Sequence, residues 1–127
     1  METVNTIEIK RTIDVTNEDI DDIVCGMLEG GITYWCDCAK VVGEYLGEFA
    51  SEQISKGGEL FLHDCEEDAW HMLTKEKVLN GLKLCIERGY DRYGAVQQDG
   101  TLDCGEIDGE IADIICQFAL FGDIIYG

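Results

Sequence analysis

Hydrophobic positions along the chain change period several times, and each change marks an element. Residues 3–15 alternate in part, with Val4, Ile7, Ile9 and Ile13 set among polar residues, which predicts an opening strand. Thr16 then stands where an N-cap belongs, and Asp19 three residues on is in a capping-box relation to it. Glu18, Asp19, Asp21 and Asp22 crowd the first turn, where the helix dipole favours anions. Ile20, Ile23, Val24, Met27 and Leu28 supply the apolar face, and Gly30-Gly31 ends the helix. The aromatic run 32–36 reads either as a strand or as the lead-in to a helix. From about residue 38 to 54, Val41, Val42, Tyr45, Leu46, Phe49, Ala50 and Ile54 recur at helical spacing, with Gly57-Gly58 as the stop. Gly43 and Gly47, four apart on that helix, read as a packing face.

Residues 59–64 and 69–73 flank Cys65-Glu66-Glu67-Asp68 and predict a β-hairpin with a charged tip. Thr74 caps a helix over 75–88, carrying Val78, Leu79, Leu82, Leu84 and Cys85 and ended by Gly89. Residues 90–104 are polar and irregular around Asp99-Gly100, a loop or a short hairpin. Ile107, Ile111, Ile114, Ile115, Phe118 and Phe121 mark a final amphipathic helix, followed by the apolar positions 124–126. The expectation is an α+β fold, about four helices packed on a small antiparallel sheet that contains a β-hairpin. With no Pro, no linker-like stretch and no repeat, residues 1–127 are expected to form one acidic domain.

Composition changes this picture in one respect. Apolar residues make up 46% of the 127, enough for a core, but 27 Asp and Glu stand against 9 Lys and Arg, a net of -18. A surface of that sign repels nucleic acid and anionic membrane and attracts basic surfaces. The seven cysteines are Cys25, Cys36, Cys38, Cys65, Cys85, Cys104 and Cys116, an odd count without the framework of a secreted disulfide scaffold. The polar start and the lack of a long apolar run predict a cytoplasmic product with most thiols buried and reduced, and the initial Met, without a tag, is taken as the start of an intact product.

Three constellations bear on chemistry. On the predicted 38–54 helix, Glu44, Glu48 and Glu52 form a stripe whose like-charge repulsion opposes helix formation; Lys56 relieves Glu52 only. Glu66, Glu67 and Asp68 form a second cluster at the hairpin tip, and no Lys or Arg follows Arg92. Carboxylates spread this way either keep the protein soluble or imitate phosphates, and a basic groove that tracks a nucleic-acid strand would then accept the protein instead. The second constellation is Cys36, Cys38, His63 and Cys65, with His71 across the hairpin, as a zinc set. Cys-x-Cys is poor zinc spacing, and the alternative is buried thiols and ordinary histidines. Zinc is the one cofactor candidate, since EF-hand, Walker and G-x-G-x-x-G patterns are all absent. The third is catalysis by Cys36 or Cys38 with His63 or His71, which nothing in the spacing orders. No residue is assigned a catalytic role, and the chain reads as a non-enzyme. Tyr34, Trp35, Trp70, Tyr90 and Tyr93 belong to a core, an interface or a small-molecule pocket.

The runs Gly31-Ile32-Thr33-Tyr34-Trp35-Cys36, Val41-Val42-Gly43-Glu44-Tyr45-Leu46-Gly47-Glu48 and Ala50-Ser51-Glu52-Gln53-Ile54-Ser55-Lys56-Gly57-Gly58 carry a resemblance. So does the ending, Ile107-Asp108, Ala112-Asp113 and Gln117-Phe118-Ala119-Leu120-Phe121-Gly122. Together they resemble a family of small acidic proteins encoded by phages and prophages of Firmicutes, across the chain from about residue 5 onward. The resemblance transfers no functional residue. What it implies is context: such proteins are often inhibitors of host defence, with CRISPR nucleases as frequent targets. The expectation is therefore an anti-CRISPR inhibitor that mimics nucleic acid and binds a basic host protein, a CRISPR nuclease, through Glu44, Glu48, Glu52, Glu66, Glu67 and Asp68. The alternatives are a sponge for a nucleotide immune signal and a zinc-stabilised interaction module. Neither direct nucleic-acid binding nor a membrane role is expected.

Overall fold

The computed structural model of the protein describes residues 3–7, 11–91 and 94–127. Among them are four α-helices and one three-stranded antiparallel sheet, the α+β arrangement that the periodicity predicts. Helix α1 is Asn17–Gly26; strand β1 is Cys36–Val41; helix α2 is Ala50–Ser55; strands β2 and β3 are Glu59–Asp64 and Ala69–Thr74; helices α3 and α4 are Lys75–Glu87 and Gly109–Phe121.

The caps at Thr16 and Thr74 form where the sequence puts them, and Asp108 supplies one that the sequence pattern does not announce. Thr16 Oγ1 accepts from the Asp19 amide at 3.0 Å while Asp19 Oδ2 accepts from the Thr16 amide at 2.9 Å, the two halves of a capping box. Thr74 Oγ1 takes the Lys77 amide and Asp108 Oδ1 takes the Ile111 amide, starting α3 and α4. α1 runs on through one wide turn, Met27–Gly31, and leaves the helical path at Gly30. α4 ends at Gly122 with φ +72, a left-handed stop that glycine adopts without strain.

The sheet has the order β1-β2-β3, with β2 and β3 forming the predicted hairpin. Leu60, Leu62 and Leu73 are fully buried on its inner side, in one apolar core with Ile20, Trp35, Val78, Ile111 and Phe118. α3 and α4 cross at Gly81, where a Cβ would run into the Ile115 carbonyl and lie 2.9 Å from the Ala119 amide. Residues 94–102 make a short hairpin: Val96 pairs with Leu102, and the Gln97 amide donates to Thr101 O at 2.9 Å.

Two expected elements do not form. The opening strand over 3–15 is absent among the described residues, Ile9 lying outside them. Val4 and Ile7 are exposed, and the segment's one ladder contact is an isolated parallel bridge between Asp14 and Thr101. Val15 packs against the core, but Val4 and Ile7 cover no apolar surface and gain nothing from a strand. The 38–54 helix is likewise replaced by β1, a loop and the single short helix α2. Val41 and Val42 favour extended backbone, Gly43 takes φ +74, and the glutamates at four-residue spacing would repel. Gln53 holds the loop in place of a helix. It is 2% exposed, its Oε1 accepts from the Leu46 amide at 2.9 Å, and its Nε2 donates to Glu44 O at 3.1 Å.

Candidate interaction surface

With the helix gone, the stripe of Glu44, Glu48 and Glu52 is gone too. Glu44 and Glu48 sit exposed in the 42–49 loop beside Tyr45 and Phe49, which are 74% and 63% exposed. Glu52 is engaged by the fold: its Oε1 accepts from the Phe49 amide at 3.2 Å, and its Oε2 lies 3.3 Å from Lys56 Nζ. The Lys56 ammonium first, and then the Phe49 amide, hold its pKa below the usual carboxylate value. Glu66, Glu67 and Asp68 stand at the hairpin tip as the sequence predicts. The loop leaves the sheet past Val41 and the tip leaves it past Asp64, while Val41 pairs with Leu60. The two acidic groups are therefore at opposite ends of the six-residue strand β2, roughly 17 Å apart along it. Among the described residues, the carboxylates of Glu44, Glu48, Glu66 and Glu67 make no hydrogen bond or ion pair within the fold.

Between these ends lies the outer face of the sheet. Lys40, Phe61 and Met72 are cross-strand partners in one row, and Cys38, His63 and Trp70 in the next. Trp70 is 46% exposed; it packs against the Phe61 edge and the His63 ring, and Lys40 Nζ stands 5.0 Å from its centroid. A β-bulge at residues 36–38 turns Asp37 toward His63. Asp37 Oδ1 lies 2.6 Å from His63 Nδ1 and Asp68 Oδ1 lies 2.9 Å from Nε2, so one imidazole bridges strand and hairpin tip. Hydrogen bonding to Asp37, then to Asp68, raises the His63 pKa against a small opposing effect of desolvation.

The proposed zinc ligands do not converge. On a regular strand Cys36 and Cys38 would share a face, but the bulge pairs Cys36 with inward Asp64 and Cys38 with outward His63. Cys65 Sγ lies on Trp35 O at 3.1 Å, and both His63 nitrogens face carboxylates. No group of three or more metal-ligating side chains occurs among the described residues. Burial raises the thiol pKa of Cys36, Cys65 and Cys116, and pushes those of Cys85 and Cys104 up to about 12. His71 packs edge-on against Phe121, and its Nε2 is 3.7 Å from Asp64.

Two carboxylates that the sequence reading passed over are structural. Asp64 is 0% exposed and accepts the Tyr126 hydroxyl at 2.5 Å and the Glu66 amide at 2.9 Å. Burial drives its pKa up, but these donors, the Glu67 amide and His71 outweigh that and bring it below the usual value. Asp113, 7% exposed, accepts Tyr34 Oη at 2.5 Å, Trp35 Nε1 at 2.8 Å and Gln117 Nε2 at 3.0 Å. Gln117 Oε1 in turn receives the Ile125 and Tyr126 amides, both at 2.8 Å, pinning the C-terminal segment. The signals were available. Asp64 precedes a turn as an Asx residue does, and Asp113 and Gln117 are an i,i+4 polar pair on the buried side of α4.

Among the described residues, two of the clefts border on the helices. One, of about 690 Å³, runs beside Tyr34, Asp113 and Gln117 and is edged by Glu29 and Glu110. The other, of about 930 Å³, lies between Ile13, Leu79 and Ile86, with Arg11, Lys83 and Glu87 at its edge. No helix among the described residues is long and apolar enough to cross a membrane. Compared with known proteins, the chain matches no family model, no curated protein and no solved structure.

Proposed function

We propose that the protein is a non-enzymatic, phage-encoded inhibitor of host defence that binds a basic, nucleic-acid-binding surface, that of a CRISPR nuclease. The observation that carries this reading is the division of labour among the acids. Asp19, Asp64, Asp108 and Asp113 are consumed by caps and buried networks, while the carboxylates of Glu44, Glu48, Glu66 and Glu67 are exposed and make no hydrogen bond or ion pair among the described residues. A net charge of -18 that the fold does not neutralise is available to a partner whose groove is lined with Lys and Arg. The resemblance to acidic phage proteins supports the host-defence context. The acids form two patches rather than one continuous row, so the contact is bidentate, one patch at each end of the sheet.

The experiment is target cleavage by a panel of CRISPR nucleases with the protein present. The wild type is expected to stop at least one, and a variant with Glu44, Glu48, Glu52, Glu66, Glu67 and Asp68 all changed to Lys is expected not to. Inhibition that survives all six reversals would sink the reading.

One observation favours a second reading, the nucleotide sponge: the cleft at Arg11 and Lys83 unites cations with apolar walls. Both cations are already engaged, Arg11 by Gln97 O at 2.5 Å and Lys83 by Glu87 at 3.9 Å, and Asp91 lines the same cleft. Calorimetry against cyclic nucleotides separates the two, because the inhibitor reading expects no heat of binding.

A further inference from the structure

We propose that the outer face of the sheet is a guanidinium-binding platform, on which an arginine-rich segment of the basic partner lies across Trp70 and Phe61. The proposal rests on the inhibitor reading above and names the surface and the side chain that the surface selects.

Three features point the same way. The face is aromatic and open: Trp70 is 46% exposed and Phe61 36%, with the rings 6.5 Å apart and tilted edge to face. Aromatic residues at the centre of a contact and charges at its rim are the anatomy of a protein interface. Its rim is acidic in a form that suits a guanidinium. Asp37 and Asp68 each commit Oδ1 to His63, whose ring lies 4.8 Å from that of Trp70, and their side chains are 56% and 94% exposed. A planar fork with five donors stacks on a ring and reaches flanking carboxylates together, which an ammonium does less well. The third feature is that the fold already sets a cation there. Lys40 Nζ lies 5.0 Å from the Trp70 centroid, so the ring's field accepts positive charge in the free protein. An arriving arginine takes the place of Lys40, whose flexible stem lets it swing aside. The hairpin-tip acids Glu66 and Glu67 then meet the cations that follow along the same segment.

The probe is a short arginine-rich peptide, set against a lysine-rich peptide of equal charge, at about 0.15 M salt, where distant surface charges are screened. Binding to the wild type is followed by tryptophan emission, which reports Trp70 because Trp35 is 0% exposed, and by anisotropy of the labelled peptide. The arginine peptide is expected to bind about threefold more tightly than the lysine peptide, because both cations meet the ring but only the planar fork also reaches the flanking carboxylates. Trp70→Ala is expected to lose that preference and about tenfold in affinity, with unchanged far-UV circular dichroism. Lys40→Ala, which clears the ring without touching the core, is expected to tighten the arginine peptide. Equal binding of both peptides, undiminished in Trp70→Ala, overturns the platform and leaves the acidic-inhibitor reading standing. Failure of both peptides to bind overturns both readings.

Discussion

Gln117 shows how much a single buried amide can hold. Its carbonyl oxygen takes two backbone amides of the C-terminal segment, and its nitrogen donates to Asp113, the carboxylate that also holds Tyr34 and Trp35. Gln117→Leu keeps the volume but strands two amides and removes one of the donors on Asp113. The expected loss is about 2–3 kcal/mol in denaturant unfolding, with the Ile125 and Tyr126 amides losing hydrogen-exchange protection. A change below about 0.5 kcal/mol would show that water replaces the amide without penalty. His63 carries a pH signature of defined sign. Its two carboxylate partners raise its folded pKa above the 6.5 of the free side chain. Their stabilisation is therefore complete below pH 6.5 and is lost as pH rises through the folded value. Thermal midpoints followed upward from about pH 5 should fall in that window for the wild type and stay level for His63→Gln. Asp64 acts in the opposite sense: its lowered pKa contributes stability above its unfolded value, lost as pH falls through the folded one.

Elements with strong end signals were legible in the chain. Thr16 and Thr74 cap real helices, Gly89 stops one, and the hairpin between residues 59 and 74 has its predicted tip, while the Asp108 cap and the Gly122 stop of α4 emerge only in the structure. The 38–54 segment was not legible, because its helical spacing of apolar residues competes with information that periodicity does not contain. Tyr45, Leu46 and Phe49 fit a helical face yet are exposed, and the loop is fixed by one glutamine reaching back across seven residues to the Leu46 amide. With the helix went the acidic stripe, and with the bulge at residues 36–38 went the zinc set. A one-residue bulge exchanges faces, and no sequence pattern announces it. The outer-face cluster of Asp37, His63, Asp68 and Trp70 was missed for the same reason, since it depends on cross-strand register. At the α3–α4 crossing the close approach rests on Gly81. Gly81→Ala improves helix propensity but drives a methyl into the backbone of α4. Unfolding free energy is expected to drop by about 2–3 kcal/mol. A stabilised Gly81→Ala variant would mean that the two helices are free to separate.

For the molecule as a whole, 27 acids and 9 bases make folding and binding respond to salt in opposite directions. Added salt relieves self-repulsion and stabilises the fold, while it weakens attachment to a basic partner. The acids are spent unevenly: those in caps and in the core serve the structure, and those at the 42–49 loop and the hairpin tip are left for contact. That division is the central claim, and competition for the groove tests it most directly. On the proposed inhibitor reading, labelled target DNA is bound to a CRISPR nuclease and its anisotropy is followed as the protein is added. The account predicts that the wild type releases the DNA, that release weakens steeply as salt rises, and that the six-site charge-reversed variant releases none. A ternary complex in which the nuclease holds the protein and its DNA together would contradict it.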